Sequence, residues 1–199
     1  MKIKSVIKLC KRNRTAILYT QADKNGEVKQ QYIGDGASIY PLDGMPMLEA
    51  DNIPAMFGIP KKDISKWTIS HRRLPDAFNM KDHDRNEIQM IPTGLSVCVG
   101  KVIVEGLNAD GRAIWLDGAY MEPIENDEGM LALCLRENEA GTQYVAIKRG
   151  LVRAGIAMPY AGGWVSGKIR EMAKLLGATD YDAVNGLHGQ LGFEEEEEL

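Results

Sequence analysis

The stretch that decides the fold is Tyr32-Ile33-Gly34-Asp35-Gly36-Ala37-Ser38-Ile39-Tyr40-Pro41-Leu42. The same order of residue types recurs without a gap in Ile114-Trp115-Leu116-Asp117-Gly118-Ala119-Tyr120-Met121-Glu122-Pro123-Ile124. A strand-like segment and a polar turn precede each copy. We therefore predict, at both places, a β-hairpin, a sharp Asp-Gly corner and a third short strand that ends at proline. A looser third version, with a changed spacing between glycine and proline, runs from Leu151 to Met158 and ends at Pro159.

The two Asp-Gly pairs have a structural and a chemical interpretation. In a tight corner, aspartate bonds the local backbone and glycine tolerates a positive φ. The alternative is that Asp35 and Asp117 are repeated carboxylates with a shared chemical role. We favour the corner.

The flanking segments predict an α+β fold. Apolar residues recur at helical spacing in residues 3–12 and again from Trp164 to Leu176, which indicates an amphipathic helix near each end of the chain. Aliphatic residues from Leu95 to Val104 predict one or two buried strands. The prediction is thus a set of mostly antiparallel β-hairpins in two related halves, with an N-terminal helix and a C-terminal helix packed on the sheet.

Changes in composition suggest where the two halves begin and end. We expect an N-terminal α+β half at residues 1–74 and a C-terminal α+β half at residues 93–178. Residues 75–92 are polar, contain two prolines and show little periodicity, so we interpret them as a linker loop. Glycine and acidic residues dominate residues 179–199, which predicts a flexible acidic tail.

Length and composition are those of an ordinary globular protein. The chain has 199 residues, of which 44% are hydrophobic and 26% charged. It lacks both an apolar run of the roughly 18 residues that a membrane span needs and the apolar stretch of a secretory signal. We expect a cytoplasmic protein without membrane contact. Cys10, Cys98 and Cys134 are far apart among apolar neighbours, which favours reduced thiols in the core over a disulfide framework.

Sequence signatures of enzymes are missing. We find no glycine-rich phosphate loop, no paired His/Cys spacing and no Gly-x-Ser-x-Gly elbow. The three histidines have no convincing catalytic partner near them in the sequence. Asp82-His83-Asp84 contains metal-capable side chains but no second ligand cluster accompanies it. We predict that the chain has no catalytic residues, cofactor or metal site.

Charge is unevenly distributed along the chain. The net charge is −4, yet residues 1–14 contain six cations and no acid. These cations are expected to form the solvated face of the first helix. The alternative is a contact with phosphate. The residues that we predict for such a contact are Lys8, Lys11, Arg12 and Arg14.

The C-terminal tail is the strongest candidate for a partner-binding segment, with a solubilising role as its alternative. Bulky apolar residues stand there beside dense negative charge, in Phe193, Glu194, Glu195, Glu196, Glu197, Glu198 and Leu199. This combination resembles the C-terminal tips of single-stranded-DNA-binding proteins, which are acidic, end in a hydrophobic residue and recruit replication partners. The present chain departs from those tips by ending in leucine instead of phenylalanine.

Two larger resemblances concern the whole chain. The first is carried by three segments: Lys2-Ile3-Lys4-Ser5-Val6-Ile7-Lys8-Leu9-Cys10-Lys11, residues 34–42 and Tyr144-Val145-Ala146-Ile147-Lys148. These segments resemble a family of uncharacterised proteins encoded by prophages and mobile elements of gut Gram-positive bacteria. That resemblance implies a genetic context and no mechanism. The second resemblance concerns the outline of the fold. Each predicted half contains a helix and hairpins whose last strand ends at proline, and this arrangement is similar to the repeated units of DNA sliding clamps.

These observations lead to an expectation about function. We expect a non-enzymatic accessory protein of a prophage or mobile element that acts by binding a macromolecule, such as a clamp-like or recruiting factor of DNA replication. An anti-defence inhibitor of a host nuclease, of the anti-CRISPR type, is the first alternative, and a virion structural component is the second. The expected partners are proteins of the replication or defence machinery, with nucleic acid and further copies of the chain as additional candidates.

Overall fold

The computed structural model describes residues 1–124, 131–161 and 163–177. The predicted α+β class is confirmed, because a mostly antiparallel sheet of ten strands is accompanied by a helix near each end of the described chain. Residues Met1–Ala161 form one compact unit, and the C-terminal helix belongs to a second. Among the described residues, no helix has the length and apolarity needed to cross a membrane.

The sheet places its strands in the order β4-β1-β2-β3-β10-β9-β8-β5-β6-β7, with β1 and β4 parallel and all other neighbours antiparallel. The helices and strands are α1 Ile3–Asn13, β1 Thr15–Ala22, β2 Val28–Gly34, β3 Ser38–Pro41, α2 Ile53–Met56, β4 Thr68–Arg73, β5 Ile88–Val99, β6 Val102–Ala109, β7 Arg112–Asp117, β8 Leu131–Glu137, β9 Gln143–Arg149, β10 Val152–Ala157 and α3 Gly163–Gly177. Short 3-10 turns are formed by Ala50–Asn52, Lys61–Lys66 and Gly118–Tyr120.

Helix α1 forms as its periodicity predicts. Val6, Leu9 and Cys10 are buried on one side of the helix and join the main hydrophobic core. The helix ends at Arg14, whose left-handed backbone (φ 48°) lets its N–H bond the carbonyls of the last turn. Basic residues in that turn interact favourably with the negative end of the helix dipole.

The central strands are covered on both faces. Alternate residues such as Leu18, Ile33 and Val145 join the core that contains α1. The opposite face carries a second cluster of Ile17, Tyr19, Tyr32, Ile39, Leu74, Tyr144 and Ile156, on which Phe78 and Met80 pack. Residues from Leu74 onward therefore cover a face of the sheet. The predicted linker at residues 75–92 does not separate two compact units, and its last five residues belong to β5.

The repeated phrase adopts two different backbone settings. Asp35-Gly36 leads into β3, and Gly36 has a φ of +93°. Asp117-Gly118 leads into the 3-10 turn Gly118–Tyr120, and Gly118 has no positive φ. The predicted third strand is thus correct for the first copy and wrong for the second.

The strand order shows where the counterpart of β3 lies. The meander β1-β2-β3 is followed across the sheet by β10-β9-β8, which is a second antiparallel meander in reverse order. The two meet where Ile39 pairs with Ile156 and Ser38 with Ala157. The strand that mirrors β3 is therefore β10, which lies within the looser third version of the phrase.

The aliphatic segment from Leu95 to Val104 is not buried as predicted. Of the residues in β5, only Met90 is buried, and every residue from Ile91 to Val99 is exposed or half-buried. In β6, Val104 is fully buried, whereas Ile103 is 56% exposed. All three cysteines are free; Cys10 and Cys134 are buried as predicted, and Cys98 is exposed, so the prediction for Cys98 is wrong.

Candidate binding surfaces

A polar cluster joins the end of α1 to both Asp-Gly corners. Asn13 Nδ2 donates to Asp35 Oδ2 at 2.6 Å, and Arg12 Nη2 donates to Asp117 Oδ2 at 2.5 Å. Asp35 Oδ1 also accepts from Ser38 N and Ser38 Oγ, each at 2.8 Å. Each carboxylate further accepts the backbone N–H two residues on, at 3.1 Å for Asp35 and 3.0 Å for Asp117. Both carboxylates therefore act as anchors of the fold, which agrees with the structural interpretation.

Electrostatics in this cluster keep its potential nucleophiles protonated. Burial, reinforced by the charge of Asp35, raises the pKa of the Cys10 thiol to about 12. Burial and the charges of Asp35 and Asp117 likewise raise the pKa of Tyr120 to about 12, although Arg12 opposes the shift. Thiolate and phenolate are the reactive forms, so neither group is activated at neutral pH.

The four predicted phosphate contacts divide into two pairs. Lys8 Nζ binds the carboxylate of Glu122 at 3.0 Å, and Arg12 is held by Asp117 and lies 5.6 Å from the ring centroid of Tyr120. Lys11 and Arg14 instead line a cavity of about 370 Å³ together with Lys66 and Trp67. We call this the basic cavity. Phosphate contact stays a prediction for these side chains.

A second polar cluster is centred on Glu87. Its carboxylate accepts hydrogen bonds from Arg136 Nε at 2.9 Å, from Arg136 Nη2 at 2.6 Å and from Lys148 Nζ. The side chains of Arg136, Lys148 and Glu87 are 0%, 9% and 11% exposed. Burial opposes the ionisation of Glu87, but the bonds from Lys148 and Arg136 outweigh it, so the pKa of Glu87 is lowered.

The same arginine fixes the loop that precedes β5. Its remaining donors bind backbone carbonyls, with Nη1 at 2.8 Å from both Asn79 O and Lys81 O and Nη2 at 3.1 Å from Asp82 O. Arg153 adds a bond of 2.7 Å from Nε to Met80 O. This cluster was missed by sequence reasoning. Its signal is the cation Arg136 within the otherwise apolar buried run of β8.

The metal-capable triplet has three separate roles. Asp82 Oδ1 accepts from the backbone N–H of Arg153 at 3.0 Å. His83 Nδ1 lies 3.4 Å from Glu87 Oε1. Asp84 accepts from Asn86 N and Asn79 Nδ2, and these two bonds lower its pKa. No group of three metal-capable side chains is found among the described residues.

Beside this loop lies a cavity with a volume of about 890 Å³. It opens between residues 76–84 and the turn that joins β8 to β9. Four of its lining residues are acidic, namely Asp76, Asp84, Glu137 and Glu139, against the single cation Lys81. We call it the acidic cavity.

The hairpin formed by β5 and β6 exposes apolar side chains on both of its faces, because Ile91 is opposite Asn108 and Ile103 is opposite Cys98. Ile91, Leu95 and Ile103 are 64%, 53% and 56% exposed. Cys98 is directly opposite Ile103 across the two strands and is exposed as well. We call residues 91–103 the hairpin arm. The predicted partner-binding tail, Phe193 to Leu199, lies outside the described residues.

Comparisons of the chain with protein family models, with curated proteins and with solved structures return no match.

Proposed function

We propose that this chain is a non-enzymatic accessory protein of a prophage or mobile element and that it binds a protein partner through the hairpin arm. The observation that carries the proposal is the exposure of Ile91, Leu95 and Ile103 on one hairpin. Several large apolar side chains exposed on one short hairpin mark an interaction site more often than single ones scattered over a protein.

The arm has the composition of a binding element. Residues 91–99 include four aliphatic side chains, and none of the nine residues is buried. Covering Ile91, Leu95 and Ile103 removes more than half of each side chain's accessible surface from water. Apolar burial of this kind contributes on the order of 1 kcal/mol for each side chain. A few such anchors dominate the affinity of a typical interface.

The accessory role in DNA replication is the form of this function that we propose first. A recruiting factor needs only one protein partner on the arm. A clamp-like ring needs self-association, for which the outer strands β4 and β7 are the available sheet edges. Sedimentation at micromolar concentration separates the two forms, since a strict monomer contradicts the ring.

Affinity capture from a lysate of a Gram-positive host tests the arm. We expect the unchanged protein to retain a replication protein such as a polymerase or helicase, and Leu95→Asp/Ile103→Asp to lose it. The control is Leu151→Asp, because Leu151 is 89% exposed in the turn between β9 and β10, outside the arm. Equal recovery by the unchanged protein and the arm variant contradicts a partner-binding arm.

A nuclease inhibitor is the second candidate, and the acidic cavity is the observation that favours it. Clustered carboxylates can compete with nucleic acid for a basic channel. Recovery of a defence nuclease in the same capture, abolished by Glu137→Lys/Glu139→Lys, supports this candidate. Recovery that does not change with this charge reversal rejects it.

A further inference from the structure

We propose that the basic cavity is a binding site for single-stranded nucleic acid. The phosphates are bound by Lys11, Arg14 and Lys66, and the indole of Trp67 offers a surface for a base. This site is independent of the partner proposed for the hairpin arm.

The fold brings two basic segments of the sequence together at this cavity. Residues 1–14 contain six cations and no acid, and residues 61–73 contain five Lys or Arg residues and one acid, Asp63. The segments meet where Thr68 N donates to Arg14 O at 2.9 Å and where β4 begins to pair with β1. In a chain of net charge −4, such a local excess of cations is not a consequence of overall composition.

The cations of the cavity are available to a ligand. Among the described residues, the side chains of Lys11 and Arg14 make no hydrogen bond or ion pair, and both are exposed. Lys66 is bound to Asp63 at 2.6 Å; the side chain of Lys66 is 59% exposed and that of Asp63 is half-buried. Ion pairs at the surface with an exposed lysine are weak, so a phosphate can compete for Lys66.

The cavity also suits one unit of a strand. Its volume of about 370 Å³ is within the range of small-ligand sites, and Ile59, Pro60 and Trp67 add apolar wall to the three cations. Trp67 is braced by an edge-to-face contact with Phe57, with ring centroids 6.3 Å apart. Aromatic side chains bind unstacked bases, which a single strand offers and a duplex does not.

Two effects oppose the binding of an anion. The carboxylate of Asp63 also lines the cavity, and the cavity lies at the C-terminal end of α1, where the helix dipole is negative. The N–H of Arg14 already bonds the carbonyls of Cys10 and Lys11, which offsets part of that field. The three cations outweigh the single carboxylate of Asp63 together with a partial charge of about half a unit, so we expect moderate affinity that depends strongly on salt.

Fluorescence anisotropy with a labelled oligothymidylate of about 15 nucleotides tests the site. Three phosphate contacts on a single strand predict a slope of about −2 for log K against log salt, or a loss of about 20-fold between about 50 and 200 mM salt. We expect Lys11→Glu/Lys66→Glu to weaken binding at least tenfold and to reduce the slope. Lys24→Glu/Arg112→Glu is the control, because it makes the same charge change at exposed residues outside both the basic cavity and the hairpin arm and is expected to leave binding within twofold.

A milder variant and two competitors make the result decisive. Lys11→Gln/Lys66→Gln removes the charges without repulsion and is expected to weaken binding about fivefold; thermal unfolding of each variant confirms that it is folded. Unlabelled duplex and polyglutamate are expected to compete poorly. Equal loss in the control variant, no loss in the cavity variants, or equal competition by duplex or polyglutamate overturns the proposal.

Discussion

Asp35 and Asp117 are held by two consecutive residues of α1, with Asn13 bound to the first carboxylate and Arg12 to the second. One helix end therefore connects two corners that are far apart in the chain. The bonds that surround the carboxylates differ, because Asp35 accepts from both the N–H and the hydroxyl of Ser38, whereas Asp117 pairs with a guanidinium. The similarity of the two phrases thus ends at the corner itself.

This difference predicts unequal effects of the same substitution in the two phrases. Gly36→Ala is expected to destabilise the protein by about 1–2 kcal/mol, because the backbone at Gly36 is left-handed. Gly118→Ala is expected to change stability by less than about 0.5 kcal/mol, because φ is ordinary there and the new methyl group meets its nearest atoms, on Glu105, at 3.4 Å. Urea unfolding of the two variants measures the difference, and equal effects contradict it.

The cluster around Glu87 predicts a large effect of a nearly isosteric substitution. Glu87→Gln leaves two buried cations without a counter-charge, so we expect a loss of about 3–5 kcal/mol. The control is Glu139→Gln at the exposed turn between β8 and β9, which should change stability by less than about 0.5 kcal/mol. A small effect of Glu87→Gln in chemical denaturation would show that Arg136 and Lys148 are satisfied by other groups.

The lowered pKa of Glu87 predicts loss of stability in acid. A carboxyl whose pKa is lower in the folded than in the unfolded state stabilises the fold above its unfolded pKa, which is about 4.3. That contribution is lost as the pH falls through the lower folded pKa. The urea concentration at the midpoint of unfolding is therefore expected to decrease when the pH is lowered below about 4. The Glu87→Gln variant should show a smaller decrease over the same pH range. An unchanged pH profile for the variant refutes this assignment.

The three thiols are expected to differ in reactivity. Cys98 is exposed on the hairpin arm, whereas burial raises the pKa of Cys10 and of Cys134. A disulfide reagent at neutral pH should modify one thiol of the folded protein quickly and the other two only after unfolding. Cys98→Ser should abolish the fast phase. A bulky label on Cys98 should also block the partner that we propose for the arm, whereas fast modification of two thiols contradicts the burial of the core cysteines.

Local periodicity was sufficient to predict some elements and not others. The helix that carries Val6 and the corner at Asp35 were predicted correctly, since both depend on residues that are close in sequence. β3 forms because it pairs with a strand on each side. The residues after Asp117 are held instead by α1 and by the residue that precedes it. Glu122 pairs with Lys8, and Pro123 O accepts from Lys2 N at 2.7 Å. Such partners are not visible in the order of residue types.

Predictions of burial from charge and apolarity were also wrong where the position of a residue in the sheet determines its burial. Residues 75–92 have the composition of a solvated linker, yet the side chain of Glu87 is only 11% exposed and pairs with cations from β8 and β9. Aliphatic residues in β5 predicted burial, but β-propensity does not say whether a strand lies over the core or extends beyond it. Four basic residues were predicted to contact phosphate. The sequence alone does not reveal that Lys8 and Arg12 pair with carboxylates of the same chain, whereas Lys11 and Arg14 line a cavity.

The pairing of Ile39 with Ile156 also determines when the protein can finish folding. On the ribosome, β3 is made early and must wait for almost the whole described chain before its second neighbour exists. Until then, the backbone N–H and C=O groups on the free edge of β3 can pair with an incorrect strand. Contacts between residues so far apart in sequence also form slowly. Newly made chains that lack β10 should therefore depend on chaperones, and truncation before residue 152 should yield an insoluble product in place of a stable N-terminal domain.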